Sequence, residues 1–429
     1  MEDDHRSTSD WVARGFGAVG VLLLAVSSVS VVFWPRSDHP KPATAAPIVT
    51  AAVPDQQTRL EREVQSVLRV QIDALLGGDE AGWLAPVGPE VRNRYRSIYR
   101  NLRNLEVSRA DYGVEILGRS TETEVSARVM IGYCLSGATC PAWENRIDQG
   151  APKLLYDLTF ERRDNGYVVT KIADVEDGNH LQPTPWERTE LRFARGERVI
   201  VAGPRGQAKN LRKVLAAAEK AATVVDRFST EPPKRYRIYL ADDKTWKTWY
   251  GGQLSKWVVG YHIALNQTGS DIVLKTGELV DSNRQLALTV QHEMAHAVTM
   301  VPSYNQDPNE DLWLIEGVAE YIGFLPGKPQ NTESRYSLRS WFDEHGALKS
   351  IVRPELTDES DDLTVSALYA TGHYAVGCMI DRYGQPRLLD FVKRVLQDGE
   401  DLDPASRAAF GKPFKTVDRA CVSWITQRV

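Results

Sequence analysis

The chain has 429 residues, 42% of them hydrophobic and 25% charged, which is ample material for two globular units. A net charge of −5 leaves no basic footprint, so a nucleic-acid partner is excluded as the basis of function. Four cysteines, an even count, permit two disulfides.

Residues 15–34, "GFGAVGVLLLAVSSVSVVFW", carry no charge over 20 positions, about the length that spans a bilayer core. They predict a transmembrane anchor behind a short cytoplasmic tail at 1–14. A cleaved signal peptide competes, but the Ala43-Thr-Ala45 site lies far beyond Trp34 for one. Residues 35–57 are rich in Pro and Ala and read as an extended linker. Paired cysteines imply an oxidising compartment. The expectation is a single-pass protein of the cell membrane, touching the membrane through its N-terminal helix, with the globular part extracytoplasmic.

From residue 58 a helical pattern places Leu60, Val64, Val67, Leu68, Ile72 and Leu75 on one side and stops at Gly77-Gly78. A second helix is expected from 89 to about 102. Alternating stretches follow: "YGVEILG", "TEVSARVMIGYC", "KLLYDLTFERR" and, past the turn "DNG", "YVVTKIADV". Helices and then a strand meander predict an α+β unit over 58–180. That layout resembles the cone-shaped nuclear transport factor two-like fold. No catalytic cluster occurs in it, so a binding or spacer role is its default. Cys134 and Cys140 bracket "CLSGATC" and are expected to pair, which leaves Cys378 for Cys421 on the even count alone.

The polar, turn-rich "EDGNHLQPTPWE" marks a boundary before a second unit at 189–429. There "RFARGERVIVAG" predicts a hairpin, "QAKNLRKVLAAAEKAATVVDRFS" a long helix and "RYRIYLA" a strand. "GYHIALNQTGSDIVLKTG" reads as two strands, 261–265 and 271–275, around a turn.

Next comes "TVQHEMAHAV", residues 289–298. With 8 His in the chain, about 0.02 matches to His-acid-x-x-His are expected by chance. Leu286, Val290, Met294, Ala297 and Val301 recur at helical spacing, so His292 and His296 stand one turn apart on an amphipathic helix. Two imidazoles so placed can meet one zinc ion, and Glu293 can reach water there without being a ligand. The plainer reading is two satisfied histidines on a half-buried helix. A zinc site of this type needs a third protein ligand. "DLWLIEGVAEYIGF" offers one, because Trp313, Leu314, Val318, Ile322 and Leu325 predict a second apolar-faced helix carrying Glu316 and Glu320. A carboxylate within such a run is costly to bury unless it is paired or bound to metal. Glu320 fits a solvated face better than Glu316 does; if it takes part, it stands behind the ligands.

His292-Glu293-x-x-His296 followed by Trp313-Leu-Ile-Glu316-Gly317-x-Ala319-x-Tyr321 resembles the gluzincin metallopeptidases, in particular the aminopeptidase N-like branch. Nineteen residues separate His296 from Glu316, one more than is usual there. The resemblance implies one zinc held by His292, His296 and Glu316, with Glu293 as general base. It also implies an oxyanion donor. The family's Y-x-K-G is matched in part by Tyr369-Ala-Thr-Gly372, with Lys replaced by Thr371, and His373 is a rival donor one turn on. The family's G-A-M-E-N segment, which holds a substrate amine, is absent. Endopeptidase action on a peptide or protein substrate is therefore expected, with the substrate strand lying along 271–275. The alternative is a catalytically silent or non-peptidase zinc-binding protein of the cell envelope. The expected fold class is α+β: an N-terminal transmembrane helix, a cone-shaped α+β domain, then a gluzincin-type domain whose small sheet lobe with the zinc-binding helix precedes a helical lobe.

Overall fold

The computed structural model describes residues 55–429 apart from 119, 145, 146, 148, 165, 176–180, 253–257, 267, 301–310, 355 and 358. Helix α1 (Gln56–Gly77) opens where the Asp55 carboxylate accepts the Thr58 N–H, and it closes on Gly78 in the left-handed region at φ 80°. Its buried residues Leu60, Val64, Leu68, Ile72 and Leu75 form the stripe that the sequence pattern predicts. Short α2 (Glu80–Leu84) and α3 (Arg92–Asn104) follow. Strands β1 (Val107–Ile116), β2 (Glu124–Leu135), β3 (Lys153–Arg163) and β4 (Gly166–Asp174) then pair in sequence order as an antiparallel meander. Cys134 and Cys140 are bonded within it.

After α4 (Pro185–Arg188) the chain builds a second sheet from β5 (Leu191–Arg195), β6 (Val199–Pro204), β7 (Tyr236–Ala241), β8 (Gly260–Ala264) and β9 (Ser270–Lys275). Helix α5 (Leu211–Val225) joins β6 to β7, and α6 (Asp243–Trp246) follows β7. The spatial order is β5-β6-β7-β9-β8, with β7 parallel to β6 and β9 and the outer pairs antiparallel. Both faces are buried, and the two-residue period of a strand separates them. Val199, Val201, Ile238, Leu240, Ile272 and Leu274 face α5 and the later helices. Ile200, Ala202, Tyr239, Ala241 and Val273 share a core with the N-terminal unit. Asn101 on α3 fastens the junction, donating to the Trp186 and Thr189 carbonyls and accepting from the Leu191 N–H.

The rest is helical: α7 (Asn283–Thr299), α8 (Leu312–Gly323), α9 (Ser334–His345), α10 (Asp362–Tyr383), α11 (Gln385–Val392), α12 (Leu402–Phe410) and α13 (Phe414–Thr426). Cys378 on α10 is bonded to Cys421 on α13, which ties the last helix to the core.

Two expectations are corrected. The fold class is α+β with two sheets and many helices, and among the described residues no helix is long and apolar enough to cross a membrane. The stretch 15–34 itself lies outside the described residues, as do the tail at 1–14 and nearly all of the linker at 35–57. The single-pass cell-membrane localisation is not supported, since no helix among the described residues can cross a membrane. The second correction concerns 271–275. That strand is interior, hydrogen-bonded to β7 on one side and β8 on the other, so its backbone has nothing left to offer a substrate. The edges of the sheet are β5 and β8, and β8 is the edge next to β9.

Candidate metal centre

Ser282 caps α7 by accepting the Gln285 N–H, and Leu286, Val290 and Met294 anchor one stripe of the helix in the core. That anchoring turns His292 and His296 toward α8. The two helices meet closely, since a Cβ built on Gly323 would lie 3.2 Å from that of His292. Helices α8 and α10 cross closer still. A Cβ on Gly317 would come within 2.6 Å of the Gly372 backbone, so neither position tolerates a side chain. The crossing brings Tyr369, one turn before Gly372, to Glu316, the neighbour of Gly317.

Among the described residues, His292, His296 and Glu316 are a group whose candidate ligand atoms all lie within 4.8 Å of one another. The finer geometry is a small triangle. His292 Nε2 and His296 Nε2 are 3.1 Å apart, and Glu316 Oε2 lies 3.2 Å from the first and 3.5 Å from the second. Tetrahedral zinc bonds of about 2.0–2.1 Å set ligand atoms roughly 3.3–3.4 Å apart, so this donor set fits the ion. Glu316 Oε2 is buried without a well-aligned hydrogen bond, as an atom aimed at a shared point would be.

Behind the triangle, Glu320 Oε1 lies 3.1 Å from His292 Nδ1 and fixes that ring. Burial works against a charged His292, yet the neighbouring Glu316 and Glu320 carboxylates prevail and hold it well above its ordinary value. For Glu316 burial pulls the other way, but the two imidazoles overcome it and keep the carboxyl well below the usual range. Burial raises Glu293, with the charges of His292 and His296 opposing. The site gathers three carboxylates around two imidazoles, an excess of negative charge that a cation or a proton must answer.

No family model and no curated protein matches this chain. Among solved structures, native yeast LTA4 hydrolase is matched at 13% identity and a TM-score of 0.37, over 75% of this chain and 60% of that one. The chain thus spans about three-fifths of that protein's length. A likeness so loose carries no argument, and the site stands on its own geometry.

Tyr369 stacks on His292 with ring centroids 6.4 Å apart, and its hydroxyl is bonded to Glu316. Burial and the Glu316 charge hold that hydroxyl well above its ordinary pKa, so it remains a donor. His373 goes elsewhere. Its Nδ1 meets Ser334 Oγ at 2.9 Å, and its ring stacks on Phe324, with centroids 5.2 Å apart, in a fully buried place. Burial lowers it to about 3, so the ring stays neutral near pH 7.

Sequence reasoning missed His262. On β8, Tyr261 and Ile263 pack against the N-terminal unit, so Gly260, His262 and Ala264 face α7. A Cβ on Gly260 would lie 2.8 Å from Glu293 Oε1, which sets the edge strand directly against the acid. The His262 ring is 6.2 Å from that of His296, and burial lowers its pKa to about 3. The only signal in the sequence was a polar residue alternating with apolar ones in "GYHIA".

Proposed function

We propose that the chain is a zinc-dependent metallopeptidase that cuts within extended peptides. The observation that supports this most is the convergence of two imidazole nitrogens and one carboxylate oxygen, 3.1–3.5 Å apart, beside a second buried carboxylate. Zinc held by His292, His296 and Glu316 supplies a Lewis acid that polarises a carbonyl and eases the deprotonation of water. Glu293 takes the proton of the attacking water on its carboxylate and passes it to the leaving nitrogen. Its raised pKa brings it nearer the range in which one group both accepts and donates. The Tyr369 hydroxyl donates to the developing oxyanion. Backbone groups on the free edge of β8 pair with the substrate, which favours internal cuts, as does the absence of a G-A-M-E-N string from the sequence. The N-terminal unit is read as a nuclear transport factor two-like module for binding or spacing.

Metal content and cleavage of a mixed peptide library, measured for wild type and Glu293→Gln, test this reading. Wild type should carry one zinc and cut internally. Glu293→Gln should keep the zinc and lose about 10²–10⁴-fold in rate. Zinc without turnover in both proteins would replace the reading with a silent zinc-binding module. Release of single residues from free N-termini would remove the endopeptidase assignment.

A further inference from the structure

The two imidazoles of the proposed centre are supported unequally. His292 has Glu320 behind its Nδ1. His296 Nδ1 is buried and has no hydrogen-bond partner among the described residues. A histidine bound to metal through Nε2 carries its hydrogen on Nδ1, and leaving that donor unmatched in a buried place costs about 1–3 kcal/mol. Ligand histidines nearly always pass that hydrogen to an acceptor, which sets the tautomer and the ring's orientation.

A second unmatched nitrogen lies close by. His262 Nε2 is likewise buried and without a partner among the described residues. His262 projects from β8 toward α7, and its ring centroid is 6.2 Å from that of His296. At that separation the nitrogens are beyond direct hydrogen-bond reach but compatible with one shared water, which would accept from His296 and donate to His262. The requirement on His262 is that its own hydrogen sit on Nδ1, leaving Nε2 as acceptor.

We propose that His262 is the positioning residue for His296, holding the second imidazole of the zinc site through a bridging water as Glu320 holds the first. The inference rests on the zinc reading of the site. The edge strand thereby acquires a second role, since β8 offers backbone to the substrate and also a side chain that fixes the metal's geometry. A shift of β8 then reaches the metal through His262.

The experiment uses the full chain and zinc affinity measured by competition with a chelator, together with the visible spectrum of the cobalt-substituted protein. Wild type and His292→Ala bracket the scale. His262→Phe, which keeps a ring and removes the acceptor, should weaken zinc about 10–100-fold and change the cobalt spectrum. His262→Gln, which restores a polar partner of similar reach, should recover most of both. Thermal unfolding of the metal-free proteins shows whether a variant still folds. Affinity and spectrum unchanged in His262→Phe overturn the proposal, even if KM rises, because His262 then serves the substrate. Equal losses in the Phe and Gln variants overturn it too, since the effect is then one of packing. If wild type and His292→Ala both fail to bind zinc, the underlying site reading has failed, and this proposal with it.

Discussion

Two buried polar clusters lie on opposite faces of the second sheet, and they resolve the burial of charge differently. On the N-terminal side, Asp271 of β9 is paired with Arg237 of β7 at 2.5 Å and also accepts from the Tyr250 hydroxyl. One cation meets one anion across hydrogen-bonded strands, and the Tyr250 hydroxyl adds a hydrogen bond to the carboxylate. On the helix side, Glu293, Glu316 and Glu320 crowd two imidazoles, and among the described residues no guanidinium or ammonium is a partner of His292, His296 or Glu316. The first cluster is balanced in charge by its own side chains. The second is complete only with a proton on His292 or a cation among the three ligand atoms. Balanced burial therefore marks structure, and unbalanced burial marks a site.

The largest effect that could break this comparison comes from one substitution on each side. Glu316→Ala should abolish zinc binding and turnover, and it should close the gap in Tm between zinc-saturated and chelated protein. That gap corresponds to about 4 kcal/mol at a thousandfold excess over Kd. Asp271→Ala should lower stability by about 3–5 kcal/mol, because it leaves Arg237 buried and unpaired, while preserving the zinc-dependent gap. Calorimetry with and without chelator separates them. A zinc-dependent gap lost in Asp271→Ala would mean that the clusters are one system.

A smaller effect distinguishes Tyr369 from His373, neighbours on α10 with different surroundings. Tyr369→Phe deletes only the hydroxyl at Glu316, and kcat and kcat/KM should fall together by about 10²–10³ with zinc retained. His373→Ala should act on stability, by roughly 1–3 kcal/mol, since it strands Ser334 and leaves a space beside Phe324. Steady-state kinetics and urea unfolding of both variants decide it. Normal turnover in Tyr369→Phe would remove the tyrosine from the chemistry.

The smallest expected effect lies at the junction, where burial raises Glu187 to about 7 from an ordinary 4.5. The folded protein keeps a proton there that the unfolded chain releases. Stability should therefore fall as pH rises from about 4.5 to about 7 and level off above, by 1–3 kcal/mol at most. Glu187→Gln should flatten that slope in unfolding curves taken at pH 5, 6 and 7. An unchanged slope would locate the titration elsewhere.

The sequence by itself determined that His292, Glu293 and His296 share one turn, and that Glu316 sits in an apolar helix near enough in sequence to join them. It also determined the stripe on α1 and the alternation in each strand of the first sheet. These follow from local periods of 3.6 and 2 residues, which the chain carries wherever it folds. Only the tertiary structure decided which strand stands at the free edge. Strand order is set by long-range pairing, and it made 271–275 interior and β8 an edge strand. The same holds for His373 and His262. Both are single polar residues in apolar surroundings, and their periodicity names a face without naming what packs there. The crossing of α8 on α10 at Gly317 and Gly372 sends Tyr369 to Glu316, while Ser334 and Phe324 enclose His373. The pairing of β8 with β9 turns His262 toward His296. Spacing along a helix brings together residues of one element, whereas the site is completed by side chains that only packing between elements can deliver.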